Sequence, residues 1–72
     1  MTLTDLSIGE SSTIKQICDK NPSLAIELEE LGFIPGTPVT LSSKTLFSGP
    51  MAFELRGSTI ALRKNEAKAI LL

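Results

Sequence analysis

The side chains that could do chemistry in this sequence are Cys18 and a few carboxylates, chiefly Glu27, Glu29, Glu30 and Glu66. A cysteine acts as nucleophile or ligand in its thiolate form, which needs a base or a fixed positive charge beside it. The sequence has no histidine, and only Lys15 and Lys20 stand near Cys18 along the chain. Cys18 is therefore expected to be a small, buried apolar residue. A single cysteine closes no internal disulfide and forms no paired zinc site, so packing alone should hold the fold, in a reducing cytosol. Carboxylates can hold hard cations. Glu27 and Glu30, however, fall on a helix face beside a leucine stripe, where a solvated surface is the usual outcome. No catalytic residue, resident metal or cofactor is expected, and the chain is not expected to be an enzyme.

Composition points the same way. The 72 residues suffice for one small domain spanning 1–72, whose core leaves little room for an enclosed active site. Hydrophobic residues make up 42% and charged residues 21%, ordinary values for a folded chain. Seven basic and eight acidic residues give a net charge of −1, and the only tight basic pair is Arg63-Lys64. Phosphate-backbone binding needs clustered Lys and Arg, so a nucleic-acid partner is not expected. The N-terminus lacks a positive, then apolar, leader pattern, and no segment approaches the ~20 apolar residues of a membrane span. A cytoplasmic location without membrane insertion is expected. Proline-rich peptide grooves are lined with aromatics, and Phe33, Phe47 and Phe53 are the only aromatic residues.

The elements that must position these groups turn on the stretch from Leu28 to Val39. Leu24, Leu28 and Leu31 repeat at i, i+4 and i+7, predicting a helix from Pro22 or Ser23 to Leu31 with that stripe buried. Asn21 is a good N-cap and Pro22 suits the first helical position. Gly32 is expected to end the helix at positive φ, with Phe33 packing back on the last turn, and Pro35-Gly36 to make a turn.

Before the helix, Leu3 and Leu6 in a short turn, with Ser7-Ile8-Gly9, are expected to seal one end of a barrel. Thr13–Cys18 reads as a strand with a bulge or end near Gln16. After it, Val39 and Leu41 alternate as a half-buried strand. Met51, Phe53 and Leu55 point to one face of the next strand, Arg56-Gly57-Ser58 is a tight hairpin, and Ile60 and Leu62 point inward from its partner. Asn65 is expected to cap a helical turn over Glu66-Ala67-Lys68, and Ala69–Leu72 to close as a terminal strand. Five short strands with one helix inserted after the first predict a mainly β fold, a small, SH3-like, partly closed β-barrel in preference to an OB-like one.

Two apolar features lack an internal partner. Ile26 lies about 160° around the helix from both Leu24 and Leu28, and Leu46-Phe47 falls in a hairpin loop before Gly49-Pro50, where it either plugs the barrel or meets a partner. The candidate partner-binding residues are therefore Ile26, Leu46 and Phe47, with the acidic face Glu27 and Glu30.

Three blocks resemble the FeoA family, ferrous iron transport protein A: Leu3-x-x-Leu6-x-x-Gly9; Leu28-x-x-Leu31-Gly32-Phe33-x-Pro35-Gly36-x-x-Val39; and Gly49-Pro50 followed by Gly57-x-x-Ile60-x-Leu62-Arg63-x-x-Glu66-Ala67-x-x-Ile70-x-Leu72. The resemblance implies an SH3-like barrel acting as a small cytosolic component of bacterial ferrous iron uptake that does not itself carry the iron across the membrane. It implies as partner FeoB, a membrane transporter with a cytosolic GTP-binding domain. Members of the family commonly carry a basic residue just before the helix leucine, where this chain has Glu27. A similar domain ends some metal-dependent repressors, so the alternative is a metal-sensing or regulatory domain using Glu27, Glu30 and Glu66. With no DNA-binding helices preceding it, the chain is expected to be a free-standing transport accessory.

Overall fold

The computed structural model describes residues 1–18, 20–45 and 49–72. Two small antiparallel sheets share one core. The first runs β1 (Ser11–Thr13), β3 (Pro38–Lys44), β4 (Met51–Leu55) and β5 (Ser58–Leu62) in the order β1-β3-β4-β5, and the second pairs β2 (Gln16–Ile17) with β6 (Ile70–Leu71). Helix α1 (Pro22–Leu31) lies between β2 and β3 in sequence, and the short α2 (Lys64–Ala67) between β5 and β6. This is the mainly β fold with one inserted helix that the hydrophobic pattern predicts.

The chain enters through a single 3₁₀ turn, Leu3–Asp5, in which the Thr2 N–H donates to Asp5 Oδ2 at 2.9 Å. It drives Leu3 and Leu6 into the core, whereas Ile8, expected to help seal the barrel, is exposed. The single strand expected over Thr13–Cys18 is divided between two strands in different sheets, so the described residues form six strands rather than five. The crossing is at Ile14, which is buried, accepts from Gly36 N–H at 2.8 Å and donates to Thr37 C=O at 3.0 Å. One residue later Lys15 N–H has turned to Leu71 C=O, at 2.7 Å. A strand that changes sheets makes a corner of this kind, and it gives physical meaning to the broken alternation of Ile14 and Ile17.

Helix α1 begins as expected, with the Asn21 side chain accepting from Ser23 N–H at 3.0 Å and Pro22 in the first turn. Its end is a Schellman closure. Gly32 sits at φ +111°, its N–H donates to Glu29 C=O at 3.0 Å, and Phe33 N–H reaches back to Leu28 C=O, also at 3.0 Å. Phe33 is then fully buried with its ring edge-on to Phe53, centroids 6.4 Å apart. The stripe is narrower than expected: Leu28 is fully buried and Leu24 packs partly on the core, but Leu31 stays 41% exposed. Phe33, two residues on, is the residue that enters the core, and Leu31 stays at the rim. The Pro35-Gly36 turn closes with Thr37 N–H donating to Ile34 C=O at 3.0 Å and Gly36 at φ +90°.

In the β3-β4-β5 meander, Val39 and Leu41 from β3 and Met51, Phe53 and Leu55 from β4 face inward. A bulge at Ser42 shifts the register from Leu41↔Phe53 to Ser43↔Ala52, and Ser42 Oγ donates to Ala52 C=O at 3.1 Å. The β4-β5 hairpin turns on Arg56 and Gly57, both at positive φ, with Leu55 paired to Ser58. That is the type I′ geometry favoured in two-residue hairpins. The α2 cap differs from expectation. Asn65 lies inside the turn, and the cap is at Arg63, whose N–H donates to Glu66 Oε1 at 2.8 Å. The carboxylate reaches back three residues, as at the N3 position of a capping box.

At Gly32 an added Cβ would meet only Leu55 Cδ1, at an ordinary 3.6 Å, so the cost of substitution there is backbone strain. Gly32→Val is expected to lose more than about 1 kcal/mol of stability, and Gly32→Asn clearly less, because Asn tolerates the left-handed region. Urea unfolding of the three proteins measures both.

Candidate functional site

The outward face of α1 is the first place to look for function, because its inward face is spent on the core. With Leu24 and Leu28 turned in, helical geometry carries Ile26 to the opposite side, where it is 57% exposed. Its neighbours one turn on are Glu29 and Glu30, both exposed, and Glu27 is exposed as well. The expected solvated acidic face is present, with one isoleucine set in it. Leu31 and Ile34 add partly exposed apolar surface at the C-terminal end of the helix and just beyond it. Spacing alone places Leu31 in the core and gives Ile34 no mark; their exposure belongs to the tertiary structure. Leu46 and Phe47 lie outside the described residues.

The carboxylates proposed for metal sensing do not assemble. Glu27 and Glu66 line one open depression of about 460 Å³, with Asn21, Ser23, Leu24, Arg63 and Asn65, but Glu30 is not part of it. Among the described residues no three of Cys, Asp and Glu are grouped to hold a metal ion. Glu66, moreover, already accepts from Arg63 N–H. A second depression, of about 430 Å³, lies over the open side of the β3-β4-β5 meander and is lined by Pro38, Thr40, Glu54 and Leu55 together with the 56–59 turn. Beside it the Arg56 guanidinium donates to Thr37 Oγ1 at 3.4 Å, a long contact to the one buried polar side chain among the described residues.

Cys18 corrects the sequence reading: it is a free, exposed thiol, not a buried apolar residue. It follows the half-buried Ile17 at the end of β2, and alternation along the strand turns it out to solvent. Its N–H donates to Ala69 C=O at 2.7 Å, so the backbone there is held while the side chain is not. Among the described residues no helix is long and apolar enough to cross a membrane.

Comparisons with known proteins converge on one family. The FeoA domain model matches residues 1–72. The crystal structure of Stenotrophomonas maltophilia FeoA complexed with zinc, described as a prokaryotic SH3 domain protein and proposed as an activating factor for bacterial ferrous iron transport, superposes with a TM-score of 0.87 at 30% identity, over 99% of this chain and 87% of that one. A FeoA-like protein of Clostridium acetobutylicum gives 0.87 at 28% identity, covering 99% and 81%. A manganese-dependent transcriptional repressor gives 0.88 at 20% identity, covering 97% of this chain but 39% of that one, a likeness of fold alone. A search of curated protein sequences gives no significant match. The two-sheet architecture is accordingly the SH3-like barrel expected from strand number and tight turns.

Exposure separates the two sides of α1 energetically. Ile26→Ser is expected to change stability by no more than about 0.5 kcal/mol, whereas Leu28→Ala should cost about 2–5 kcal/mol. Thermal or urea unfolding distinguishes them. Cys18 in the native protein should react with a colorimetric disulfide reagent as fast as in the urea-unfolded chain. A strong slowing in the native state would place the thiol back in the interior.

Proposed function

This chain belongs to the FeoA family, and from that premise we propose that it is an accessory of ferrous iron uptake, residues 1–72 acting as one unit that docks on the cytosolic GTP-binding part of a FeoB-type transporter. The observation that carries the reading is the family match over the whole length of the chain. A small barrel whose interior is filled by its own side chains acts through its surface. The docking surface is the outer face of α1, with Ile26 as the apolar anchor and Glu27 and Glu30 as the charged rim. Aliphatic anchors set among charged residues are a common form of contact, in which burial supplies affinity and the rim supplies orientation and on-rate. Glu27 replaces the basic residue common in the family at this position. The transporter that pairs with this chain should therefore present a basic group opposite it.

The test is a binding titration against the isolated GTP-binding part of the cognate transporter, with GTP analogue and with GDP bound. Binding in at least one state is expected. Ile26→Ser should weaken it at least about tenfold, while Glu27→Gln with Glu30→Gln should mainly slow association and flatten its salt dependence. No binding in either state, together with iron uptake unaffected by deletion of the gene, removes the reading.

A further inference from the structure

The strand β5 is the open edge of the four-stranded sheet, since it pairs only with β4. Its hairpin fixes which of its backbone groups are used. In a two-residue hairpin the flanking residues, here Leu55 and Ser58, exchange hydrogen bonds, and bonded pairs then recur every second residue. Ser58, Ile60 and Leu62 therefore bond to β4, and Thr59 and Ala61 aim their N–H and C=O away from it. Among the described residues those outward groups are taken up by nothing else. The next outward N–H, at Arg63, is already bonded to Glu66, which ends the free edge there.

Two alanines measure how open the edge is. Ala52 and Ala61 are opposite each other in register and carry the same side chain on the same face of the sheet. Ala52, flanked by strands on both sides, is half-buried, whereas Ala61 is exposed. The usual edge protections are also missing: Ser58–Leu62 contains no charge and no proline, and the bulge of this sheet lies in β3. The opposite edge, β1, is only three residues long before the chain turns away at Ile14. Ile60 stays half-buried at its inward position, with apolar surface left for a neighbouring strand to cover.

We propose that the β5 edge binds an extended, acidic polypeptide segment of another protein, added as a further antiparallel strand of the sheet. The backbone of Thr59 and Ala61 supplies the pairing, an apolar residue of the segment covers Ile60, and carboxylates at its N-terminal end meet the Arg63-Lys64 pair that closes β5. A second copy of this chain is the wrong occupant. Symmetric antiparallel pairing about Ile60 sets Thr59 of each copy opposite Ala61 of the other and Ser58 opposite Leu62, which brings the Arg63-Lys64 pair of each copy toward the other's hairpin turn at Arg56, where like charges repel. The inference does not rest on the transporter reading, because it uses none of Ile26, Glu27 and Glu30.

The probe is an acetylated, amidated peptide of alternating valine and threonine with two glutamates at its N-terminal end, titrated into the full chain and followed by amide hydrogen exchange in NMR. At saturation the Thr59 and Ala61 amides are expected to exchange at least about tenfold more slowly, since each gains a strand partner. Ala61→Pro removes only a donor that faces away from β4, so the spectrum elsewhere is retained while peptide affinity falls at least about tenfold. Arg63→Glu with Lys64→Glu should reverse the preference toward a peptide with lysines in place of the glutamates. Three results overturn the proposal: Thr59 and Ala61 exchange unchanged at saturation, equal binding by Ala61→Pro, or a dimer of the free chain that Ala61→Pro abolishes.

Discussion

Phe33 must be buried immediately after a helix ends, and most of the architecture follows from how the chain achieves this. An ordinary helix end would carry residue 33 onward past the core. The left-handed Gly32 reverses the chain within one residue, and its closing hydrogen bonds to Leu28 and Glu29 occupy carbonyls that would otherwise be orphaned. The Phe33 ring then meets Phe53 edge-on at the centre of β4, a contact between residues far apart in the chain. Burying a phenylalanine in this way contributes about 1.5–3 kcal/mol, a large share of the net stability available to a domain of this size.

The same corner couples the two sheets. The turn over Pro35-Gly36 sets Thr37 beside Ile14, and the paired hydrogen bonds between Ile14 and the 36–37 segment fix the register of β1 against β3. Ile14 is also where the chain leaves that sheet for β2, which is held by β6 at the far end of the sequence. Lys15 and Cys18 bond to the backbone of Leu71 and Ala69, and Leu72 N–H reaches Met1 C=O at 2.9 Å. Strands β2 and β6 are thus tied to each other and, through Ile14, to the helix corner. A small core gains from this arrangement, because few local contacts are free to open without loosening a long-range one.

Such a barrel has its interior filled and must act through what it leaves outside. Two surfaces differ from the ordinary polar exterior. The outer side of α1 presents a lone isoleucine among glutamates, and β5 presents unpaired backbone with no edge protection. They suit different contacts: the first a complementary side-chain surface, the second an extended backbone. A small accessory protein with both can contact two segments without any change in its core.

Much of this was legible in the sequence because it depends on local chemistry. Asn21 and Pro22 open a helix and Gly32 closes one wherever they fall in such a pattern. Alternation marks Met51, Phe53 and Leu55 as inward, and the spaced blocks place the chain in its family. Where the reading departed from the structure, the deciding contact was distant. Thr13–Cys18 reads as one strand, yet the carbonyl of Thr37 and that of Leu71 claim its halves for different sheets. Leu31 has the spacing of a core residue, yet it stays at the rim while Phe33, just past the helix, is fully buried. Cys18 reads as buried from its type, yet it follows the half-buried Ile17 at the end of β2, where alternation turns it out to solvent. Asn65 is the better capping residue by type, but the strand delivers Arg63 to the cap and Glu66 bonds there instead. By itself the sequence determined the helix, its stops, the inward faces of the main strands and the family. Which strand joins which sheet, and which apolar residues stay outside, only the tertiary structure decided, because pairing and burial depend on who else has reached the same volume.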